Sequence, residues 1–260
     1  MIQRVGIVVP TLGNRPDYLE QCLRSIRAAG EAHILLVAPT SLQTSALESA
    51  SLIDSVVIDA GGGLASAINQ GIRALPESVE YTNWLGDDDL LIAGSLKNSV
   101  QVLDSDPNGV MTFGACEYID GKGQTVWANG SGQWAVPLLR FGPDLIPQPG
   151  ALFRRSAFDK VGGLKTDLGW AFDFDLFIRL SKLGKLRFLN QTLAKFRWHP
   201  ESLSVEHRKK SVAEASQVRV SHLPAFLRPI SFLWEYPVQQ ATLIAGKRVT
   251  AKAKSKAKTK

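Results

Sequence analysis

The sequence runs to 260 residues, 45% of them hydrophobic and including 6 Trp and 11 Phe, enough for one large α/β domain with an appendage. Its formal charge of +6 misleads, because residues 247–260 carry seven Lys/Arg and no acid and leave the rest at −1, a balance that excludes a specific nucleic-acid-binding surface. Two cysteines, Cys22 and Cys116, exclude a disulfide framework, and no apolar run reaches the roughly 18 residues of a membrane span, so the expectation is a soluble, cytoplasmic protein.

Residues 5–9 form a continuous apolar run, the pattern of a strand buried on both faces of a parallel sheet. The run is too short for a signal-peptide core and ends in Pro10-Thr11. Pro16 opens a helix with Leu19, Cys22, Leu23 and Ile26 on one stripe, and Gly30 ends it. Residues 33–37 are the second strand, 40–51 hold a short helix, and 56–58 are the third strand. Gly61-Gly-Gly63 leads into a helix with Leu64, Ile68, Ile72 and Leu75 on one face. Residues 81–85 are the fourth strand, running straight into Asp87-Asp88-Asp89. This alternation predicts a mostly parallel, doubly wound sheet with right-handed crossovers. Ligands bind such sheets outside the carboxyl ends of the strands. Pro10-Thr11, residues 59–63 and the three aspartates all follow strands and therefore share that edge.

Three adjacent carboxylates repel one another and suit neither a strand nor a helix interior. Two readings fit them. A divalent cation, Mg²⁺ or Mn²⁺, takes one or two carboxylates and completes its shell with phosphate oxygens and water. Alternatively, the aspartates form an acidic turn that caps a helix after Ala93.

Beyond Leu103 the pattern changes. Residues 110–116 and 124–128 read as strands joined by the turn Asp120-Gly-Lys-Gly123. A flexible loop, 129–132, and a proline-punctuated loop, 143–149, precede a short strand at 150–154. Asp173 opens a helix with Leu176, Phe177, Leu180 and Leu183 inward, ended by Gly184. Residues 185–189 and 193–197 read as two closing strands, followed by His199-Pro200. Residues 208–223 carry a polar helical pattern, and 224–237 are irregular and apolar, expected to pack back on the domain. The Lys-rich end repels itself and reads as disordered; its chemistry suits anionic lipid headgroups, non-specific nucleic acid, or solubility alone.

Four segments, in order, resemble the family 2 glycosyltransferases of the GT-A fold, over about residues 4 to 204. They are Ile7-Val-Val-Pro-Thr11; Gly63-Leu-Ala-Ser-Ala-Ile-Asn69-Gln-Gly71; Trp84-Leu-Gly-Asp-Asp-Asp89, like the family's D-x-D region; and Pro149-Gly-Ala-Leu-Phe-Arg-Arg155 with Val161-Gly-Gly163 and Phe172-Asp-Phe-Asp-Leu-Phe-Ile-Arg179. The resemblance implies an α/β GT-A domain, mostly parallel and doubly wound, over 1–205; beyond it, pattern and composition read as a helical, apolar extension over 206–246 and a disordered basic tail over 247–260. It implies transfer of a sugar from a nucleotide-diphosphate sugar to an acceptor hydroxyl of a glycan or glycolipid, with inversion. By the same resemblance Pro10, Thr11, Arg15, Asn69, Asp87 and Asp88 bind the donor, Asp89 and His199 hold Mg²⁺ or Mn²⁺, and Asp173 is the general base.

Each residue also has a plainer reading. Asp173 is otherwise an N-cap, Asp175 a support for the helix start or an acceptor contact, and His199 a satisfied histidine. Arg154 and Arg155 steady loops or face the diphosphate, and Trp170 stacks on a sugar or packs. The chain departs from the family at three places. Ala38-Pro39-Thr40 stands where an acidic residue reads the nucleobase, Ile68 where Arg is common, and Phe172 where the acceptor motif opens with an acid. The rivals are a sugar nucleotidyltransferase, whose Gly-rich basic loop is missing from Thr11-Leu-Gly-Asn-Arg15, and a scaffold that binds nucleotide sugars without turnover. The expected setting is the cytoplasm, with peripheral contact at the inner membrane face through the tail.

Overall fold

A computed structural model describes residues 3–129, 132–198 and 208–258. The apolar runs early in the chain become the middle of its sheet. β1 (Val5–Pro10) lies between β2 (His33–Ala38) and β4 (Tyr81–Trp84), with β3 (Ser55–Ile58) beyond β2, all parallel. Alternation along these strands feeds two cores. Ile7, Val9, Ile34 and Leu36 face α1 (Pro16–Ala29), which contributes Leu19, Cys22, Leu23 and Ile26. Val8, Leu35 and Val37 face α3 (Leu64–Ala74), which contributes Ala65, Ile68 and Ile72. Gly71 makes that approach feasible: a Cβ there would come within 2.4 Å of Val8 Cγ1. The doubly wound half of the prediction therefore holds, with the short helix confined to α2 (Ser45–Ser49).

The second half continues the sheet in mixed orientation. β8 (Leu152–Arg154) pairs antiparallel with β4 and with β6 (Gly109–Ile119). β7 (Thr125–Asn129) forms the expected hairpin with β6, with Gly123 at φ +79° in its turn. β9 (Lys185–Arg197) runs parallel to β6. Among the described residues the order is β3-β2-β1-β4-β8-β6-β9-β5, with β7 on β6.

Several expectations are corrected. The two closing strands are one: β6 is long enough to template β9 across residues 190–191, and the interruption survives only as register shifts around Gly114 to Cys116. Leu90–Leu91, unassigned from sequence, is the short β5, paired with β9. The strand expected at 150–154 begins at Leu152, because Gly150 ends a 3₁₀ turn over residues 148–150. The helix after Ala93 is α4 (Ser95–Ser105). Its start is Gly94 at φ +76°, without a side-chain cap, so the aspartates do not cap it.

Further helices are α5 (Gly132–Leu138), α6 (Arg155–Lys160), α7 (Phe172–Leu180), α8 (Arg208–His222) and α9 (Phe232–Lys258). The apolar 224–237 stretch is not irregular: a 3₁₀ segment, Ala225–Ile230, leads into α9. The basic end, expected to be disordered, continues α9 as helix to Lys258. Lys and Ala are strong helix formers, and packing upstream supplies the nucleus that an isolated Lys/Ala segment lacks. No helix of the described residues is long and apolar enough to cross a membrane.

Candidate active site

β4 ends at Trp84, and the chain then turns, the Asp89 N–H donating to the Gly86 carbonyl at 3.1 Å. That turn holds three carboxylates at the carboxyl edge of the sheet, beside the residues that follow β1. The Thr11 hydroxyl donates to Asp87 Oδ2 at 2.6 Å. The Arg15 guanidinium bridges two of the three, donating to Asp87 Oδ1 and to Asp88 Oδ2, each at 2.6 Å. Asp87 and Asp89 are only 4% and 5% exposed. A Cβ on Gly86 would lie 3.0 Å from Asp88 Oδ1 and 3.1 Å from Asp89 Oδ2, so these two carboxylates converge over a residue that lacks a side chain.

Burial pushes the Asp87 carboxyl up, against the pull of Thr11 and Arg15. Asp89 is raised well above the usual carboxylate range by burial and then by the charge of Asp88; the Arg197 N–H, at 2.9 Å from Asp89 Oδ1, offsets only part of this. Among the described residues no group of three or more His, Cys, Asp or Glu forms a ready-made metal cage. The donor set nevertheless fits Mg²⁺ or Mn²⁺, which take one or two carboxylates and rely on phosphate and water for the rest. His199 lies outside the described residues.

Arg197, at the end of β9, escaped the sequence reading. It is 1% exposed and holds the edge together. Its Nε donates to the Asp88 carbonyl at 2.9 Å and its other nitrogens reach Gln21 and the carbonyls of Asp120 and Gly121, while the guanidinium lies 4.2 Å from the Tyr18 ring centre. A buried arginine of this kind leaves no local pattern in the sequence.

Helix α7 meets the same strand end. Phe172 packs on Trp84 with ring centres 6.2 Å apart, which accounts for an aromatic residue at that position. Asp173 lies in the first turn, half-buried, its Oδ1 accepting from the Phe174 N–H at 2.8 Å. Burial pushes it up to about 6, the hydrogen bonds from Phe174 and its own N–H working against this and the Glu214 carboxylate adding to it. The neighbouring Asp175 is fully buried and differs in role. It binds Lys165 at 2.9 Å, His222 at 2.8 Å and Arg179 at 2.7 Å. Burial opposes its charge, but His222, Lys165 and Arg179 together hold it well below the ordinary carboxylate range. Asp175 is thus the support for the helix start that was one of its two readings.

The N-terminus of α7 is capped from a distance. Glu214 of α8 accepts the N–H groups of Gly169, Trp170 and Ala171 at 2.9, 2.7 and 2.7 Å. Neither Glu214 nor His222 was singled out from sequence. Their spacing with Val218 places all three on one helical face, a signal that the polar composition of α8 obscured.

Other expected residues lie elsewhere. Asn69 is buried, and both ends of its amide are used on Leu164: Nδ2 donates to the carbonyl at 2.8 Å and Oδ1 accepts the N–H at 2.9 Å. It clamps the loop before α7 and stands back from the aspartates' hydrogen-bond network. Gly163, at φ +75°, completes the clamp, since a Cβ there would lie 2.7 Å from Asn69 Oδ1. Ile68 is fully buried in the core. Arg154 binds the carbonyls of Leu103, Asp106 and Gly109, and Arg155 that of Pro76, so both steady loops. Lys210 lies 5.8 Å from the Trp170 ring centre. Pro10 ends β1 beside Thr11, on the same edge as Arg15 and the three aspartates.

No protein-family model matches the chain. It is 26% identical over 213 residues to an uncharacterized glycosyltransferase of Rickettsia conorii, covering 76% of this chain and 34% of that protein. It is 24% identical over 209 residues to an uncharacterized glycosyltransferase of Rickettsia typhi, covering 75% of this chain and 64% of that protein. The chain thus spans about a third of the length of the first of these relatives. Among solved structures, residues 1–349 of Staphylococcus aureus TarS in complex with UDP-GlcNAc superpose with a TM-score of 0.63 at 12% identity, covering 87% of this chain and 69% of that one. The mannosyltransferase PcManGT of Pyrobaculum calidifontis, in complex with GDP-Man and Mn²⁺, gives 0.61 at 17% identity, covering 99% and 80%. At such identities the likeness is one of fold: the chain has the GT-A-like fold of these glycosyltransferases.

Proposed function

We propose that the chain is an inverting, metal-dependent glycosyltransferase that moves a sugar from a nucleotide-diphosphate sugar to a hydroxyl of a glycan or glycolipid. The observation that carries the reading is the pairing of two unlike carboxylate sites at one strand end. Asp87, Asp88 and Asp89 form a largely buried carboxylate cluster in which Asp89 is raised well above the usual range, while Asp173, on the facing helix, has a carboxyl tuned to about 6. The curated relatives bear the name glycosyltransferase, and the structural neighbours were solved with UDP-GlcNAc and with GDP-Man and Mn²⁺, which supports the same reading.

In this mechanism the donor lies along the edge formed by Pro10, Thr11, Arg15 and the aspartates. Asp88 and Asp89 would hold Mg²⁺ or Mn²⁺, which, when bound, neutralises charge developing on the leaving diphosphate. Arg15 orients Asp87 and Asp88. Asp173 accepts the proton of the acceptor hydroxyl as its oxygen bonds to the anomeric carbon and the bond from that carbon to the diphosphate oxygen breaks. Attack from the face opposite the leaving group inverts the centre. A base near 6 is ionised at pH 7 yet still basic enough to take a proton. His199, from its sequence position, is proposed as a further ligand.

The test is turnover of a nucleotide sugar by the Asp173→Asn variant. Asn caps a helix about as well as Asp, so it removes the proton acceptor and little else. Nucleoside diphosphate release with acceptor should fall by about 10²–10⁴-fold while donor affinity holds. Near-normal turnover would reject Asp173 as the base. Phe226, Phe232, Leu233 and Tyr236 are exposed around the start of α9, whose opposite end is basic, and contact of this helix with an anionic membrane surface is a second element of the proposal.

A further inference from the structure

The stretch that leads into the helix carrying Asp173 does not hold itself in place. The residue at the N-cap, Ala171, offers no side-chain acceptor, and the N–H groups of residues 169–171 would be orphaned without a partner. Glu214 supplies one from 43 residues further along the chain, with both carboxylate oxygens engaged. The carboxylate does something more, because it brings a full negative charge to the turn that carries Asp173. Like charges held close disfavour the ionised form and keep a carboxyl basic.

We propose that Glu214 is a positioning residue for Asp173, fixing the stretch that leads into α7 through three backbone hydrogen bonds and bringing a second carboxylate to the turn that carries Asp173. The functional sense of this rests on the reading of Asp173 as the general base. The other charged groups around that turn differ from Glu214 in what they do there. Asp144, in the loop after α5, is raised first by burial and then by the Asp173 charge, a coupling that acts on both carboxyls. Lys210, over the Trp170 ring, and Arg219, 5.7 Å from the Phe174 ring centre, are cations and act in the opposite direction. Asp175 is matched by Lys165, Arg179 and His222. Glu214 is the acid that also holds the backbone on which Asp173 is mounted.

The test is a direct titration that needs no knowledge of donor or acceptor. In protein carrying carbon-13 at aspartate carboxyls, the Asp173 signal is assigned by its loss in Asp173→Asn and followed against pH. Wild type should titrate near 6. In Glu214→Gln, which keeps the side-chain shape and one acceptor oxygen, the midpoint should fall below the wild-type value, the direction expected on removing a nearby like charge. Glu214→Asp keeps the charge but withdraws it by one methylene, so its midpoint should fall by less; it also serves if the Gln variant does not fold. An unmoved or higher midpoint in either folded variant overturns the proposal. Turnover of Asp173→Asn, measured alongside, reports on the base alone. If that turnover persists while the Glu214→Gln midpoint falls, the general-base reading is what fails.

Discussion

At the scale of single residues, the account turns on carboxylates of one chemistry pushed to different ends. Asp173 is raised to about 6 by burial and Asp175 is held low by three cationic or donor partners, although two positions separate them. The raised value has a consequence for stability. A carboxyl at about 6 in the folded chain, against about 3.9 unfolded, binds its proton more tightly when folded. The associated stabilisation is complete below about pH 4 and is lost as pH rises through about 6. Asp173→Asn carries no such titration. Relative to wild type it should gain about 1 kcal/mol between pH 4 and pH 7, a figure discounted for the partial exposure of Asp173. Chemical denaturation of both proteins at the two pH values checks this, and a constant difference would argue against a raised Asp173.

At the scale of elements, the C-terminal helices act as a brace on α7. Glu214 and His222 reach it from α8, and α8 is in turn bound to α9 through Arg219 and Glu235, which are 2% and 6% exposed and meet at 2.7 Å. Ser216 adds a 2.6 Å hydrogen bond to the Glu235 carboxylate. Removing one partner strands the other charge in the interior, so Arg219→Ala should cost about 3–5 kcal/mol in denaturant unfolding. Replacing both by apolar residues of similar volume, Arg219→Met with Glu235→Leu, should cost far less. The parallel half of the fold was legible because buried strands such as β1 and stripes such as Leu19-Cys22-Leu23-Ile26 write their period into the sequence. The second half was less so. β9 reads as two strands across residues 190–191 because its continuity comes from pairing with β6, and β5 is too short to leave a pattern. For the candidate site, the aspartates stand out by their place after a strand, while Thr11, Arg15 and Asp173 are carried by the family resemblance. Arg197 and Glu214 could not be found in either way, because their partners are distant in sequence and only the folded chain brings them together.

At the scale of the molecule, charge and function are divided along the chain. The basic end of α9 lies in the same helix as the exposed Phe232, Leu233 and Tyr236. If this end docks on an anionic surface, truncation after Gly246 should abolish salt-sensitive sedimentation with phosphatidylserine vesicles while leaving turnover of a soluble acceptor intact. Persistent binding would move the contact to the aromatic residues. The central claim is that the Asp87–Asp89 edge holds the donor diphosphate and its cation, and it is tested most directly by calorimetric titration of wild type and Asp89→Asn with UDP- and GDP-sugars, with and without Mn²⁺. Asn keeps an oxygen for the Arg197 N–H and relieves a buried charge, so the variant should fold at least as stably as wild type. The account predicts that wild type binds at least one such donor in a Mn²⁺-dependent manner and that Asp89→Asn loses most of this binding. Equal Mn²⁺-dependent binding by the two proteins, or none by folded wild type, would contradict it.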